Sequence, residues 1–511
     1  MAPWLFAPLA SICLWILPGI VWVRLQEQEP MPLWLIRVHA LCAFVAVGII
    51  GLHHLLRVVP TRESLLGMEA VGVGAGALRK TGYRNGQLLW QRFKKDRFRW
   101  IFLGSACLLL YMALAVSALH LVPPMMDHDW DSQSGAYGLI HTGAPLAVTD
   151  RGVFYFFANP PLLSFHIGLV ALLRGSLDRL AYHEEMARAL EKSYGAHPTE
   201  SAWGEAVEQS RQRFLAEPHL LETRTPTLFF AVATLPLLFG ILQGLTRSLW
   251  LSAMGCLLYI TFPEVWVRSS HGGWTAITVF FLLAIAYGYF RDDRKILLWG
   301  GFFAAVAKSK EAVLLPLALA LWRGFREIQG PVRSRIQAMA THPALLGFGA
   351  GTVLFFGYGL WVSRQAFWTD FVRGHVWNRL FHIHTGGSYP SVVGLWWQFS
   401  KVQGFPFLPL AALSVAWLLI WSWRRRSLDG AMALWAILGS ITFSVVDWRQ
   451  TKHLIQLVPA LVMAIMKVLS QHRGILRWGL LGLVSFLIIR NAWLLFSFRG
   501  HWLALHPTGD W

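Results

Sequence analysis

Apolar residues along the chain occur in long blocks that contain almost no charged positions. Most blocks are about 17–23 residues long, the length that an α-helix needs to cross a bilayer. Such blocks indicate membrane-spanning helices, and the pattern predicts an all-α polytopic membrane protein with about 11–13 spans. The candidate spans are 4–23, 33–55, 101–122, 225–244, 249–267, 273–290, 295–308, 311–322, 343–363, 405–422, 429–446, 453–468 and 478–497.

The composition supports the same class. Of the 511 residues, 55% are hydrophobic and 14% are charged, and the mean hydropathy is +0.47. Soluble domains carry roughly a quarter charged residues, so a soluble multidomain enzyme, a disordered chain and a disulfide scaffold are excluded. The net charge of +18 does not indicate nucleic-acid binding, because the Lys and Arg residues lie in short stretches between the apolar blocks. There they set orientation and meet anionic headgroups.

Basic stretches between the spans predict the topology. Cytoplasmic loops carry an excess of Lys and Arg, which assigns 57–99, 323–335, 424–426 and 473–477 to the cytoplasm. The opposite side then carries the loops 123–224, 268–272, 364–404 and 447–452. The first of these is long, and long loops usually have a function.

The same pattern predicts the organisation of the chain. Within the first long loop, 176–217 has mixed charges and apolar residues at helical spacing, which predicts two amphipathic helices. The predicted segments are an N-terminal hairpin at 1–56, a basic cytoplasmic loop at 57–100, a large transmembrane region at 101–470, and a C-terminal helix with its tail at 471–511.

Three carboxylates open the first long loop. Asp127, Asp129 and Asp131 follow the double proline Pro123-Pro124 within a few residues. Acidic side chains at a membrane surface are costly and often functional, so they are candidates for a general base or a metal-binding cluster. The alternative is a helix start, where acidic side chains accept hydrogen bonds from free backbone N–H groups and interact favourably with the helix dipole.

The order of residues in this loop resembles a known family. The acids are followed by Tyr137, Gly143 and Pro160-Pro161-Leu162-Leu163. This order resembles the first extracytoplasmic loop of the GT-C glycosyltransferases, in particular the branch of the protein O-mannosyltransferases and the lipid A aminoarabinose transferase. Asp129 precedes Pro160 by 31 residues, close to the family spacing, and is therefore our choice for the catalytic aspartate, with Asp127 and Asp131 as competitors.

Further matches follow in order down the chain. Arg224 matches an arginine that family members place before the next helix. A glycine-rich helix, Gly300-Gly301 to Ala307-Lys308, resembles the family helix that ends in Thr-Lys-Gly, and Ser444 with Lys452-His453 resembles a later family segment. Three departures from the family pattern concern the substrate more than the reaction. Asn159 stands where the lipid A branch has lysine, His271 follows Ser269-Ser270 where relatives often have an acid, and the segments 176–217 and 1–56 are additional.

The resemblance implies a sugar transfer from a polyprenyl-phosphate donor to a hydroxyl on the outer face. A carboxylate would accept the proton of this hydroxyl, and cations would bind the leaving lipid phosphate. Several cations near predicted non-cytoplasmic span ends are candidates for the phosphate site, although each could equally snorkel to headgroups. These candidates are Lys308, Lys310, Lys452, Arg224 and Arg449.

The loop at 364–404 is rich in His, Arg and aromatic residues, which suit the faces and hydroxyls of a sugar. The candidates for substrate contacts are Tyr137, Asn159, His271, His375, Arg379 and His384. No metal site is predicted, because no third ligand accompanies His382 and His384. No cofactor is firmly implied, and a divalent cation is the less favoured alternative.

The resemblance also implies the partners and the location. The expected partners are a polyprenyl-phosphate sugar, a glycan, lipid or protein acceptor, and membrane lipids, with no nucleic acid. The expected location is a bacterial inner membrane with the active site on the extracytoplasmic face. Two other functions remain open: a polysaccharide ligase or polymerase, and a transporter or flippase for lipids or sugars. A transporter would typically show broken helices repeated in two halves, and the sequence has no such repeat.

Overall fold

The structure is a computed structural model, and it describes 61–66, 97–124, 129–143, 145–149, 152–155, 157, 160–177, 212, 214, 216, 219–308, 310–328, 330–378, 391–445 and 451–505. The predicted spans 4–23 and 33–55 lie outside these residues. So do most of the basic stretch 57–99 and nearly all of the predicted amphipathic segment 176–217.

Helices make up almost all of the described residues. In chain order the first nine are α1 (Arg97–Val116), α2 (Asp131–Thr142), α3 (Leu162–Arg174), α4 (Leu220–Thr246), α5 (Leu249–Thr261), α6 (Pro263–Ser269), α7 (Thr275–Phe290), α8 (Arg294–Lys308) and α9 (Leu314–Trp322). They are followed by α10 (Val332–Ala340), α11 (Pro343–Phe367), α12 (Val392–Gln403), α13 (Phe407–Arg425), α14 (Gly430–Val445), α15 (Thr451–Leu454), α16 (Val458–Gln471), α17 (Gly474–Phe496) and α18 (Arg499–Leu505).

Three π-helical stretches continue α1, α9 and α11, and a short 3-10 turn joins α15 to α16. One small antiparallel hairpin interrupts the helical pattern. Its strands are β1 (Leu146–Thr149) and β2 (Gly152–Tyr155), with Leu146 opposite Tyr155 and Thr149 opposite Gly152.

Within the described residues, five helical stretches are long and apolar enough to cross a membrane, and a sixth span results if α5 and α6 are one. The five are Leu220–Thr246, Pro343–Trp377, Phe407–Arg425, Thr451–Gln471 and Gly474–Phe496. Shorter apolar helices, such as α7 and α14, accompany them. The protein is therefore an integral multi-pass membrane protein built mainly of helices, as predicted. The division into the segments 1–56, 57–100, 101–470 and 471–511 stays a prediction.

The predicted span 249–267 is not straight. It consists of α5 and α6, which meet at an angle of 70°. The break lies at Phe262, whose backbone is extended (φ −63°, ψ 123°), immediately before Pro263. A residue that precedes proline is driven out of the helical region by the proline ring, and proline itself cannot continue the backbone hydrogen bonds. Pro263 then serves as the first residue of the new helix.

Two compact units divide the chain. The first comprises 1–230, 271–274 and 356–371, and the second comprises 231–270, 275–355 and 372–511. In the first unit α2 packs on α3, and their apolar side chains form a buried core that includes Tyr137, Ile140 and Leu169. Gly168 permits this packing, because a Cβ atom there would lie 2.8 Å from Cγ1 of Ile140.

In the second unit, glycines set the spacing of α7, α8 and α11. The glycine pair that resembles the family helix, Gly300-Gly301, faces both neighbours. A Cβ atom on Gly300 would lie 3.0 Å from Cγ1 of Ile285 on α7, and one on Gly301 would overlap the carbonyl oxygen of Ala344 on α11. Small residues let helix backbones approach closely inside membranes. The glycine pair therefore has a packing role that fixes the position of α8, which ends at Lys308.

Candidate functional site

The acidic segment of the first unit lies at the start of α2. Asp129 is buried, and Asp131 is half-buried as the first residue of the helix. Asp127 lies outside the described residues. Acids in the first turn of a helix interact favourably with its dipole, so the position of Asp131 agrees with the helix-start interpretation. Asp129, before the helix, has a different environment.

Asp129 forms a buried ion pair with Arg224 of α4. Nη2 of Arg224 donates to Oδ2 of Asp129 at 2.6 Å, and Nε donates to Oδ1 at 3.1 Å. The side chains of both residues are 0% exposed. Two parallel hydrogen bonds between a guanidinium and a carboxylate form a strong, directional contact. The aspartate chosen from the sequence is thus half of a fully desolvated pair.

The remaining N–H groups of Arg224 donate to backbone carbonyl oxygens in the segment that follows α1. Nη1 donates to the carbonyl oxygens of Ala118 and Val122, the latter at 2.7 Å, and Nη2 donates to that of Pro123 at 2.8 Å. A guanidinium has five N–H groups, and with the two bonds to Asp129 all five are used. These carbonyl groups lie where a helix ends and have no partner further along it. The expected contact between Arg224 and a donor phosphate does not fit this arrangement, since no N–H group remains for it.

Gly272 completes the surroundings of Asp129. Its backbone N–H donates to Oδ1 of Asp129 at 2.7 Å, and its carbonyl oxygen accepts a hydrogen bond from Ser132 at 2.5 Å. A Cβ atom on Gly272 would overlap the side chain of Thr223 and lie 2.9 Å from Oδ1 of Asp129. Only glycine therefore allows the 271–274 segment to come this close to the ion pair.

A second set of contacts in the first unit holds the loop that carries the prolines. Oδ2 of Asp370 accepts the backbone N–H of Phe157 at 2.7 Å. The hydroxyl of Tyr358 donates to the carbonyl oxygen of Gly143 at 2.9 Å. The ring of Phe157 packs edge-on against Phe367 at a centroid distance of 5.3 Å. These contacts fix the chain on both sides of the β-hairpin and before Pro160.

The second unit contains a different buried cluster, centred on Glu311. Nζ of Lys308 lies 3.0 Å from Oε2 of Glu311, and Nδ1 of His453 lies 3.0 Å from Oε1. The amide of Gln456 also donates to Oε2. Glu311 is only 4% exposed, and Lys308 and His453 are 8% and 7% exposed. One carboxylate therefore holds two cationic or potentially cationic side chains, which lie far apart in the sequence of the second unit.

The short helix α15 is held by two acids. Glu311 binds its His453, as described, and Oε1 of Glu264 accepts a hydrogen bond from the hydroxyl of its Thr451. Glu264 is fully buried, and its Oε2 lies 3.4 Å from Nε of Arg268. Lys452 lies between the two held residues and is half-buried. The ends of α15 are thus fixed, and with them the backbone of Lys452.

The remaining predicted site residues are placed as follows. Tyr137 is 3% exposed in the core of the first unit, with its ring 4.1 Å from that of His141. His271 is fully buried in the first unit beside Gly272. Lys310 and His375 are half-buried in the second unit. Asn159, Arg379, His384 and Arg449 lie outside the described residues, as does the segment 125–128, which precedes Asp129 in the sequence.

Several residues of these clusters, among them Glu311, Asp370 and Gly272, were not predicted from the sequence. Glu311 lies three residues after Lys308 in an apolar stretch, and an acid in such a place usually has a charged partner nearby. That spacing could have revealed it. Asp370 and Gly272 form hydrogen bonds with residues that are 213 and 143 positions away in sequence. A local sequence pattern cannot predict such contacts. Among the described residues, no group of three or more His, Cys, Asp and Glu side chains could hold a metal ion.

The comparison with solved structures finds two matching chains, both of one protein. The crystal structure of ArnT from Cupriavidus metallidurans bound to undecaprenyl phosphate superposes with a TM-score of 0.50 and 14% identity, over 81% of this chain and 70% of ArnT. The fold resembles that of ArnT. The apo structure of the same ArnT gives a TM-score of 0.40 at 16% identity, over 74% of this chain and 60% of ArnT. No protein-family model matches the sequence, and the comparison with curated proteins finds no match.

The likeness to ArnT confirms the resemblance that the ordered motifs predicted, at the level of fold. The arrangement of this chain's described membrane helices resembles that of ArnT. With 14% identity, the likeness concerns the fold and not the roles of particular residues.

Proposed function

We propose that the protein is an integral membrane glycosyltransferase that takes a sugar from a polyprenyl-phosphate donor and attaches it to an acceptor hydroxyl on the extracytoplasmic face. The observation that carries the proposal is the fold shared with ArnT, whose solved structure holds undecaprenyl phosphate. The transferred group is a hexose or a pentose. The acceptor is a glycan, a lipid or a protein, and the membrane is a bacterial inner membrane.

The leaving group in this reaction is a lipid phosphate, which requires cations in a site with little water. The second unit offers such groups. Lys308 is buried, and Glu311 accepts one of its three N–H groups. Lys452 extends from a helix whose ends are fixed. We assign the phosphate to Lys308 and Lys452, with Lys310 and Arg449 as further candidates. Arg224 is not assigned to it.

The acceptor hydroxyl must lose a proton as it attacks the anomeric carbon, and a carboxylate within hydrogen-bond reach can take it. We assign this task to the acidic segment that opens the first long loop. Asp129 has the family spacing but is already bonded to Arg224 and Gly272. If it is the base, an acceptor hydroxyl must reach this fully buried carboxylate. If it only positions the loop, Asp127 or Asp131 is the base.

A transfer assay on three asparagine variants tests this proposal. Asparagine keeps the volume of aspartate but cannot accept a proton, and a general base contributes about 10²- to 10⁴-fold to the rate. We expect Asp129→Asn to abolish nearly all transfer while the purified protein still binds undecaprenyl phosphate. Asp127→Asn and Asp131→Asn are the matched comparisons. If only one of these two is inactive, that residue is the base and Asp129 positions the loop. Normal turnover in all three variants would exclude the mechanism.

A further inference from the structure

We propose that Glu311 is a positioning residue, which holds Lys308 and His453 as one preformed unit for the phosphate of the lipid donor. This inference rests on the proposed function and adds a residue to its phosphate site. A negative side chain at the centre of a site for an anion is at first sight a contradiction.

The geometry resolves the contradiction. The two carboxylate oxygens of Glu311 lie 3.0 Å from different partners, Lys308 and His453. Lys308 ends α8 and His453 lies in α15, so the contact joins two helices that are 145 residues apart in sequence. A lysine on a flexible four-carbon side chain has many rotamers, and fixing it in advance removes an entropy cost from ligand binding.

Burial makes the acid necessary to the cluster. Lys308 is 8% exposed, and an unpaired ammonium group in such surroundings is strongly unfavourable. Glu311 compensates this cost before any ligand arrives. An ammonium group has three N–H donors, and the carboxylate occupies one of them, so a phosphate could bind the others without displacing Glu311.

Positioning and mere neutralisation by Glu311 have opposite effects on the binding of an anion. If Glu311 only neutralised Lys308, removing its charge would raise the local positive potential and strengthen the binding of an anion. If Glu311 positions Lys308 and His453, removing its charge releases both side chains and weakens that binding. The two roles therefore predict opposite signs for the same substitution.

The second unit offers a matched control for this test. Asp429 and Lys467 form another acid–lysine contact at 3.0 Å, with side chains 10% and 11% exposed. Lys467 also lies 5.1 Å from the ring centroid of Trp421 and donates to the carbonyl oxygen of Leu245. Asp429→Asn removes a carboxylate of comparable burial from a pair that the phosphate proposal does not use.

The experiment measures the binding of undecaprenyl phosphate, and of undecaprenol without phosphate, to purified full-length protein in detergent. We expect Glu311→Gln to weaken the binding of undecaprenyl phosphate about 10-fold, comparable to a lost hydrogen bond of a charged group. The binding of undecaprenol should stay unchanged. Glu311→Asp, which keeps the charge, should recover part of the loss, and Asp429→Asn should bind as the unaltered protein does.

A double-mutant cycle measures the coupling between Glu311 and Lys308, which a general loss of packing would not change. If Glu311 acts through Lys308, then Glu311→Gln should have little further effect in a Lys308→Ala background. Independent, additive losses would overturn the positioning role. So would unchanged or tighter binding of undecaprenyl phosphate by Glu311→Gln.

The same measurements separate this inference from the proposed function. If the unaltered protein does not discriminate undecaprenyl phosphate from undecaprenol, and Lys308→Ala has no effect, the phosphate site itself is wrong. If Lys308→Ala weakens binding but Glu311→Gln does not, only the role of Glu311 fails. If Glu311→Gln does not fold, Glu311→Asp takes its place in the cycle. A loss of undecaprenyl phosphate affinity that disappears in the Lys308→Ala background then supports the inference, while no loss, or a loss that persists in that background, overturns it.

Discussion

Arg224 and Asp129 are joined by two hydrogen bonds, at 2.6 and 3.1 Å, although 95 residues separate them in sequence. Both side chains are fully buried. The same guanidinium binds three carbonyl oxygens where the chain leaves α1. One arginine therefore connects α4, the end of the helix before the first long loop, and the acidic segment that opens this loop.

The first prediction concerns the stability that this pair provides. Removing one partner of a buried ion pair leaves the other charge uncompensated and typically costs about 3–5 kcal/mol. We expect Arg224→Ala to lower the free energy of unfolding by this amount, measured by denaturant titration in detergent. Arg473→Ala is the control, because Arg473 is exposed. Equal stability of the two variants would show that the pair contributes nothing to the fold.

The second prediction concerns the close approach of the 271–274 segment. Gly272→Ala would place a Cβ atom 2.9 Å from Oδ1 of Asp129, so we expect the carboxylate to shift and the transfer rate to fall at least 10-fold, on the order of one lost hydrogen bond to a charged group. Gly479→Ala is the matched control, because a Cβ atom at that helical position meets nothing within 4 Å. The transfer rates of the two alanine variants, measured side by side, test this prediction. Full activity of Gly272→Ala would show that the position of Asp129 is unimportant.

The third prediction concerns Lys452. If its ammonium group contacts the lipid phosphate, Lys452→Ala should weaken the binding of undecaprenyl phosphate by about 10- to 100-fold, and Lys452→Arg should retain part of the affinity because the charge remains. Equilibrium binding to purified protein measures both. The exposed Lys295 provides the control substitution, Lys295→Ala. If Lys452→Ala binds as tightly as this control, Lys452 only meets lipid headgroups.

The fourth prediction concerns topology. The strong excess of Lys and Arg in 57–99 predicts that this stretch lies in the cytoplasm and the loop 123–224 outside. In a variant without the four native cysteines, a single cysteine at position 200 should react with a membrane-impermeant maleimide in intact cells. A cysteine at position 90 should react only after permeabilisation. The reverse labelling pattern would invert the topology and move the acidic segment to the cytoplasmic side.

The helices were largely predictable because their apolar stretches end at charged or helix-breaking residues. The span predicted at 295–308 corresponds to α8 at Arg294–Lys308, and that at 429–446 to α14 at Gly430–Val445. The prediction of one straight span at 249–267 was wrong, because the helix breaks before Pro263. Hydropathy alone does not account for the extended backbone that a proline imposes on the preceding residue. The same measure placed the start of α4 after Arg224, whereas the helix begins at Leu220.

The candidate site was only partly predictable. The sequence identified Asp129, Arg224, Lys308 and the segment Lys452-His453 as notable residues, but each was considered alone. The structure pairs the first two with each other and joins Lys308 to His453 through Glu311. Such partners come from distant parts of the sequence, and only the packing of the helices determines them.

Analysis of lipid-linked sugars tests the central claim most directly. Cells that depend on this protein would be complemented with the unaltered chain or with Asp129→Asn, and their polyprenyl-phosphate sugars would be compared by mass spectrometry. We predict that one polyprenyl-phosphate sugar accumulates with the variant, because the donor is made but not used, and its mass would identify the sugar. Identical lipid-linked sugar pools in the two strains, with both proteins present in the membrane at equal levels, would contradict the assignment of this protein as a polyprenyl-phosphate-dependent glycosyltransferase with Asp129 in its active site.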